Sequence, residues 1–231
     1  VEALMRWRHP ERGIIPPGEF IPVAEKCGLM SAIGRVVVAK AIAEAAEWHR
    51  QGIEFGRLAV NVSGSELSDG RFEEFLFAAL ASSGLPQERL ALEIVESVIL
   101  DDEKTGIAGK LRRIRAGGIH LELDDFGTGY ASLSHVSRTK IDRLKIDRRF
   151  VHGIDANEEN AMIVKAIADI ASGLGIAVGA EGAESAAELD CLARLGCDQV
   201  QGYSIAVPMP SARVRTWLRA REARPGKLTV L

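Results

Sequence analysis

Leu90-Ala91-Leu92-Glu93-Ile94-Val95-Glu96, the helical stretch Glu103 to Ala116, and Ile119-His120-Leu121-Glu122-Leu123-Asp124-Asp125 form the passage that decides the fold. Two apolar runs of strand length flank a segment with helical periodicity, and Gly117-Gly118 falls where that helix should stop. Each run carries acids at its C-terminal end. Worked outward, the same unit recurs. Strand candidates are Val1 to Trp7, Arg57 to Val62, Leu90 to Val95, Ile119 to Leu123, Arg143 to Ile146, Ile176 to Ala180 and Gln199 to Gln201. Helical segments run from Ser31 to Gln51, Glu66 to Ser83, Glu103 to Ala116, Asn160 to Gly173 and Ala186 to Leu195, with a last amphipathic helix from Ser211 to Ala223. Such alternation gives parallel strands joined by right-handed crossovers. An open doubly wound sheet brings a glycine-rich phosphate turn after an early strand, and Val62-Ser63-Gly64-Ser65 is a poor match to one. The sequence therefore predicts an α/β fold of the TIM-like (β/α)8 barrel type.

The polar residues support that choice. Glu2, Asn61, Glu93, Glu96, Asp124, Asp125, Lys145, Asp147, Glu181 and Gln201 all lie in or just after strand candidates. One such charge reads as a solvated loop residue. So many in one parallel topology converge on the C-terminal face of a barrel, where active sites of this fold sit. Glu2, Glu93, Asp124, Asp125 and Glu181 bring five carboxylates against one lysine, Lys145, so uncompensated repulsion would raise several of their pKa values. An oxygen-rich set with an amide and no Cys or His favours Mg²⁺ or Mn²⁺ over Zn²⁺. Five carboxylates match two divalent ions about 3.5–4 Å apart, an arrangement that activates water and clamps a phosphodiester. Adjacent strand residues face opposite ways, so Asp124 and Asp125 can share a site only if the chain leaves the strand there; Gly127 and Gly129 supply that freedom.

Composition narrows the function. The 231 residues are 47% hydrophobic and 26% charged with a net charge of -3, which suits a packed core and argues against a polymeric nucleic acid partner. No apolar run approaches about 18 residues, so neither a membrane segment nor a signal peptide is expected. Cys27, Cys191 and Cys197 lack metal-ligand or disulfide spacing and point to a reducing, cytoplasmic setting.

The sequence resembles the EAL domain family, bacterial phosphodiesterases of the second messenger cyclic di-GMP. Glu2-Ala3-Leu4 is the name motif, continued by Met5-Arg6-Trp7-Arg8-His9-Pro10. Matching motifs follow in order: Phe20-Ile21-Pro22 with Ala24-Glu25, Asn61-Val62-Ser63, Leu92-Glu93-Ile94-Val95-Glu96-Ser97, the loop Asp124 to Leu133, Ile141 to Asp147, Ala180 to Glu184, and Gln201-Gly202-Tyr203. The resemblance implies that Glu2, Asn61, Glu93 and Asp124 hold one metal, and Asp124, Asp125 and Glu181 the other. Lys145 would position the attacking water, Arg6 would bind phosphate, and Gln201 and Asp147 would help seat the substrate. Glu96 would anchor the loop containing Phe126, Gly127, Thr128 and Gly129, with Glu184 in support. The implied reaction opens cyclic di-GMP to linear pGpG, with either Glu181 or the metals alone deprotonating the water. Ca²⁺ is expected to be inhibitory, because its looser coordination holds water too weakly.

The resemblance further implies a homodimer through the region near the Asp124–Leu133 loop, and a cytoplasmic domain or the cytosolic part of a membrane-anchored, multidomain protein. Seven strand candidates leave an eight-stranded barrel one short. With the chain starting at Val1, that strand and a substrate-contacting glutamine are expected upstream, so residues 1–231 read as an N-terminally truncated EAL phosphodiesterase domain. Glu122 stands where the family usually has a small residue, and Ala91 where it often has Glu. Residue 91 shares strand parity with Glu93 and residue 122 with Asp124, so an inward carboxylate is expected to have moved from one strand to the next. The alternative reading is a catalytically silent EAL domain serving as a cyclic di-GMP receptor or interaction module; the filled ligand positions favour the enzyme. An enolase-like barrel using Lys145 as its base is the remote third.

Overall fold

The computed structural model describes residues 1–100, 106–127 and 139–222. Seven parallel strands form one curled sheet: β1 (Glu2–Ala3), β4 (Leu58–Asn61), β5 (Leu90–Val95), β6 (His120–Phe126), β7 (Arg143–Ile146), β8 (Ala177–Glu181) and β9 (Gln199–Gln201), in that spatial order. Strand β2 (Trp7–His9) pairs antiparallel with β3 (Gly13–Ile15) in a separate ribbon. Sequential order across the sheet, with helices in the crossovers, is the barrel pattern.

Alternation along each strand divides the chain's chemistry. Leu58, Val60, Leu92, Ile94, Leu121, Leu123, Leu144, Ile146 and Val178 are all buried in the apolar core shared with the surrounding helices. The alternate positions, among them Glu93, Glu122, Arg143, Lys145 and Gly179, line a cavity enclosed by the curled sheet. To the apolar layer helix α2 (Met30–Arg50) contributes Val38, Ile42, Ala45 and Trp48, and helix α4 (Phe72–Ser83) contributes Phe72, Leu76 and Leu80.

Several sequence expectations are corrected. Val1 to Trp7 is not one strand: β1 ends at Ala3, and Trp7 enters the ribbon, where its ring meets Phe20 edge-on at 5.8 Å. Phe20 belongs to helix α1 (Pro17–Lys26), which carries proline at its first turn and again at Pro22. The segment Glu66 to Ser83 is two helices, α3 (Gly64–Ser68) and α4, because Asp69 turns the chain by accepting from Arg71 N at 2.9 Å, from Ser31 and from Arg35. The helix predicted from Glu103 is described as α6 (Ile107–Ala116), its first residues lying outside the described ones.

Gly202, one residue past β9, is required by close backbone approach. A Cβ there would lie 2.1 Å from the Ala183 carbonyl oxygen and 2.4 Å from its nitrogen, on the loop that follows β8. Backbone cannot withdraw as a flexible side chain can. Gly202→Ala should destabilise the chain by about 3 kcal/mol, read as a fall in Tm of several degrees by circular dichroism.

Candidate active site

Lys145 is the hub. It leaves β7 into the cavity, and its Nζ lies 2.5 Å from Glu93 Oε1, 3.3 Å from Asp124 Oδ1 and 3.9 Å from Glu2 Oε2, while also pairing with Glu181 Oε1. Four strands thus point one carboxylate each at one ammonium. Burial opposes the charge on Lys145, but Glu93, Glu181, Glu2 and Asp124 together outweigh it and raise its pKa. The acids are less evenly served. Burial pushes the Glu93 carboxyl well above its usual range, and burial, against the pull of Lys145, pushes Glu181 up to about 7. Glu2 goes the other way. Its partial burial opposes the charge, but Lys145 and two amides hold its carboxyl below its ordinary value. Those amides are Asn61 Nδ2, 2.8 Å from Glu2 Oε1, and Gln201 Nε2, 2.7 Å from Glu2 Oε2.

Asp124 and Asp125 reach the same place by a bulge. Register between β6 and β7 shifts between Leu123 and Phe126, and Asp125 adopts φ 54°, the left-handed region that aspartate tolerates better than most residues. The freedom attributed to the glycines is thus exercised at Asp125 itself, with Gly127 next in line at φ 97°. Asp125 then hydrogen-bonds to Asp147, the residue that caps helix α7 (Arg148–Val151) by accepting from Arg149 N at 2.8 Å. Burial, that shared hydrogen bond and the charge of Asp124 push the Asp125 carboxyl up to about 6.

These residues fit divalent cations. Glu2, Glu93 and Glu181 form one group and Asp124, Asp125 and Glu181 another, the ligand atoms of each lying within 4.8 Å of one another. Glu93 Oε2 is buried without a hydrogen-bond partner. Buried carboxylate oxygens left so are costly unless a cation takes them.

The EAL domain sequence model matches residues 1–208. The chain belongs to the EAL domain family. This EAL domain is 36% identical over 219 residues to the cyclic di-GMP phosphodiesterase PdeR of Escherichia coli, covering 95% of the chain and 33% of PdeR. It is 39% identical over 227 residues to an uncharacterized signaling protein of Caulobacter vibrioides, covering 98% of the chain and 27% of that protein. Among solved structures, it superposes on the c-di-GMP complex of the PaMucR phosphodiesterase with a TM-score of 0.87 at 36% identity, covering 93% of this chain and 86% of that one. The chain spans only 26% to 37% of the length of the first curated relatives it matches.

Glu2, Asn61, Glu93, Asp124, Asp125, Lys145, Asp147, Glu181 and Gln201 are therefore brought together around one cavity mouth. Glu96, buried at the start of helix α5 (Glu96–Leu100), accepts from Gly127 N at 3.0 Å and so ties down the start of the loop, beside buried Phe126. Thr128 and Gly129 lie outside the described residues. Arg6 is exposed and turns its guanidinium to the Met5 carbonyl at 2.8 Å, and the Glu184 side chain is exposed while its backbone N–H bonds to Glu188. Glu122 faces inward and lines the cavity with Glu93 and Lys145, but it also meets a buried partner, Arg143, that the sequence reading passed over.

Two further residues went unread. Glu66 and Glu188 close capping boxes with Ser63 and Ser185, each directly after a strand that ends in a site residue. Glu188 also accepts from Gly153 N at 2.7 Å, joining the loops after β7 and β8. The Ser-x-x-Glu spacing was the available signal.

The raised pKa values set a pH dependence. A carboxyl raised in the folded state adds stability that is complete below its unfolded value and is lost as pH rises through its folded one. For Asp125 and Glu181 that loss runs through about 6 and about 7. Glu2 and Asp147, held low, act only in more acidic solution. In chelator, the Tm should fall between about pH 4 and about pH 7. Mn²⁺ should offset the fall, its stabilising effect growing with pH because bound cations replace those protons. A metal-induced shift that shrinks with rising pH would contradict the assignment.

Proposed function

We propose that this EAL domain hydrolyses one phosphodiester of cyclic di-GMP, giving linear 5′-pGpG. The observation that carries the reading is the convergence of Glu2, Glu93, Asp124 and Glu181 on Lys145, with Asn61, Asp125 and Gln201 around them. It is supported by relatives named as cyclic di-GMP phosphodiesterases. Glu2, Asn61, Glu93 and Asp124 would hold one divalent cation, and Asp124, Asp125 and Glu181 the second. Bound Mg²⁺ or Mn²⁺ supplies Lewis-acid activation of water and neutralises the phosphate.

The chain's own groups divide the remaining work. Lys145 Nζ, an ammonium that can only donate, orients the attacking water by a hydrogen bond. Glu181 offers the carboxylate oxygen nearest that ammonium to receive the proton; cation binding and proton uptake compete at this group, which fits its elevated pKa. Asp147 steadies Asp125, and Gln201 steadies Glu2 while facing the substrate side. Ca²⁺ would occupy the same oxygens with longer, more flexible bonds and inhibit.

The test is incubation with cyclic di-GMP and Mg²⁺ or Mn²⁺, following pGpG by chromatography. Wild type should turn over with either ion and not with Ca²⁺. Glu181→Gln and Asp125→Asn, both close in shape to the native residue, should lose at least about 100-fold in kcat with an unchanged circular dichroism spectrum. Binding of cyclic di-GMP without any turnover would assign the domain to a receptor role instead.

A further inference from the structure

Below the carboxylate ring, the cavity holds a second ion pair that the chemistry above does not use. Arg143 Nη1 donates to Glu122 Oε1 at 2.7 Å, with only 11% and 3% of the two side chains exposed. The pair is one step from the site by register. Asn61 lies opposite Glu93, Glu93 opposite Glu122, and Glu122 opposite Arg143, so one row across four strands ends in the guanidinium. Arg143 and Lys145 are two residues apart on β7 and share the inward face. Gly179, opposite Lys145, leaves room for both: a Cβ there would lie 3.3 Å from Arg143 Cδ and 3.7 Å from Lys145 Cγ.

Two inward cations and two inward acids on adjoining strands can pair in two ways. In the structure Lys145 takes Glu93 and Arg143 takes Glu122. The exchanged pairing is chemically attractive. Glu93 Oε2 and Arg143 Nε are both buried without partners, and both residues line the same cavity of about 30 Å³, room for little more than a water molecule. A guanidinium prefers two parallel bonds to one carboxylate. Arg143 turned onto Glu93 would occupy the oxygens that Glu93 must offer to Lys145 and to a cation.

We propose that Glu122 is a positioning residue: by engaging Arg143 it keeps the guanidinium off Glu93, and so preserves the carboxylate ring for divalent cations. Only the turnover arm of the following test rests on the phosphodiesterase reading.

Mn²⁺ affinity is measured without nucleotide, by titration with electron paramagnetic resonance detection of free Mn²⁺, and kcat and KM are then measured with cyclic di-GMP. Glu122→Gln frees the guanidinium and should weaken Mn²⁺ binding by about tenfold, with a similar loss of kcat and little change in KM. Arg143→Gln removes the competitor and should leave Mn²⁺ binding at least as tight as in wild type. The double variant E122Q/R143Q should recover most of the affinity lost in E122Q, a rescue that a purely structural role does not produce. If E122Q does not fold, Glu122→Asp carries the same test, with a smaller loss of the same sign that R143Q again relieves.

A double variant as weak as E122Q, or an E122Q that melts lower yet binds Mn²⁺ normally, overturns the proposal. Wild type that binds Mn²⁺ without cleaving cyclic di-GMP sinks the phosphodiesterase reading alone, since the Mn²⁺ titrations still read the pair. Wild type that binds no Mn²⁺ overturns both.

Discussion

One ammonium held among four carboxylates is the constraint on which this domain is built. Burying even a single unpaired charge costs several kcal/mol, and here Glu2, Glu93, Asp124 and Glu181 face Lys145 from four other strands of the sheet. No short segment of chain could gather them. Parallel strands that twist and curl bring their C-terminal ends to one rim, so β1, β5, β6 and β8 contribute one or two acids each from consistent positions. Burial first, and then repulsion from the neighbouring carboxylates that Lys145 does not offset, raises the pKa values of Glu93, Asp125 and Glu181. The result is an electrostatic deficit shaped for added positive charge.

The same constraint explains the local irregularities. A regular strand through Asp124 and Asp125 would send one carboxylate into the rim and the other into the helix layer, where nothing could neutralise it. The bulge between Leu123 and Phe126, with Asp125 in left-handed backbone, costs about 1–3 kcal/mol of strain and keeps both acids on the cavity side. Glu96 then receives the backbone of Gly127 at the exit of that bulge, so a neighbouring strand-end acid stabilises the distortion without entering the ring.

Much of this was legible in the sequence because the strand cores are fully buried runs bounded by acids. Leu90 to Val95 and Arg143 to Ile146 have the bounds that apolar periodicity assigns them. The first strand was not legible: Val1 to Trp7 has no glycine or proline to mark its break, and the break comes from tertiary packing, with Trp7 drawn onto Phe20. The pair Glu122–Arg143 was half legible. Strand parity gives the inward direction of Glu122, but two charges inside an otherwise apolar-looking strand pattern do not announce each other across neighbouring strands. The exposed placement of Arg6 and Glu184 shows the converse limit, since a motif can identify a residue type and still leave the side chain's direction to the loop that carries it.

Glu2 shows how closely fold and site are joined. Strands β1 and β9 are the two ends of the sheet order, and among the described residues each pairs on one side only. Glu2 of β1 accepts from Gln201 of β9 through one oxygen and from Asn61 of β4 through the other, so its carboxylate spans the gap between the sheet's ends. The groups that lower its pKa are the same ones that draw the curled sheet together around Lys145. A cation taken up beside Glu2 must therefore share oxygens already committed to two amides, which places cation binding and the curvature of the sheet in one equilibrium. Because Glu2 carries both sets of contacts, a residue at one end of the sheet order belongs to its chemical centre.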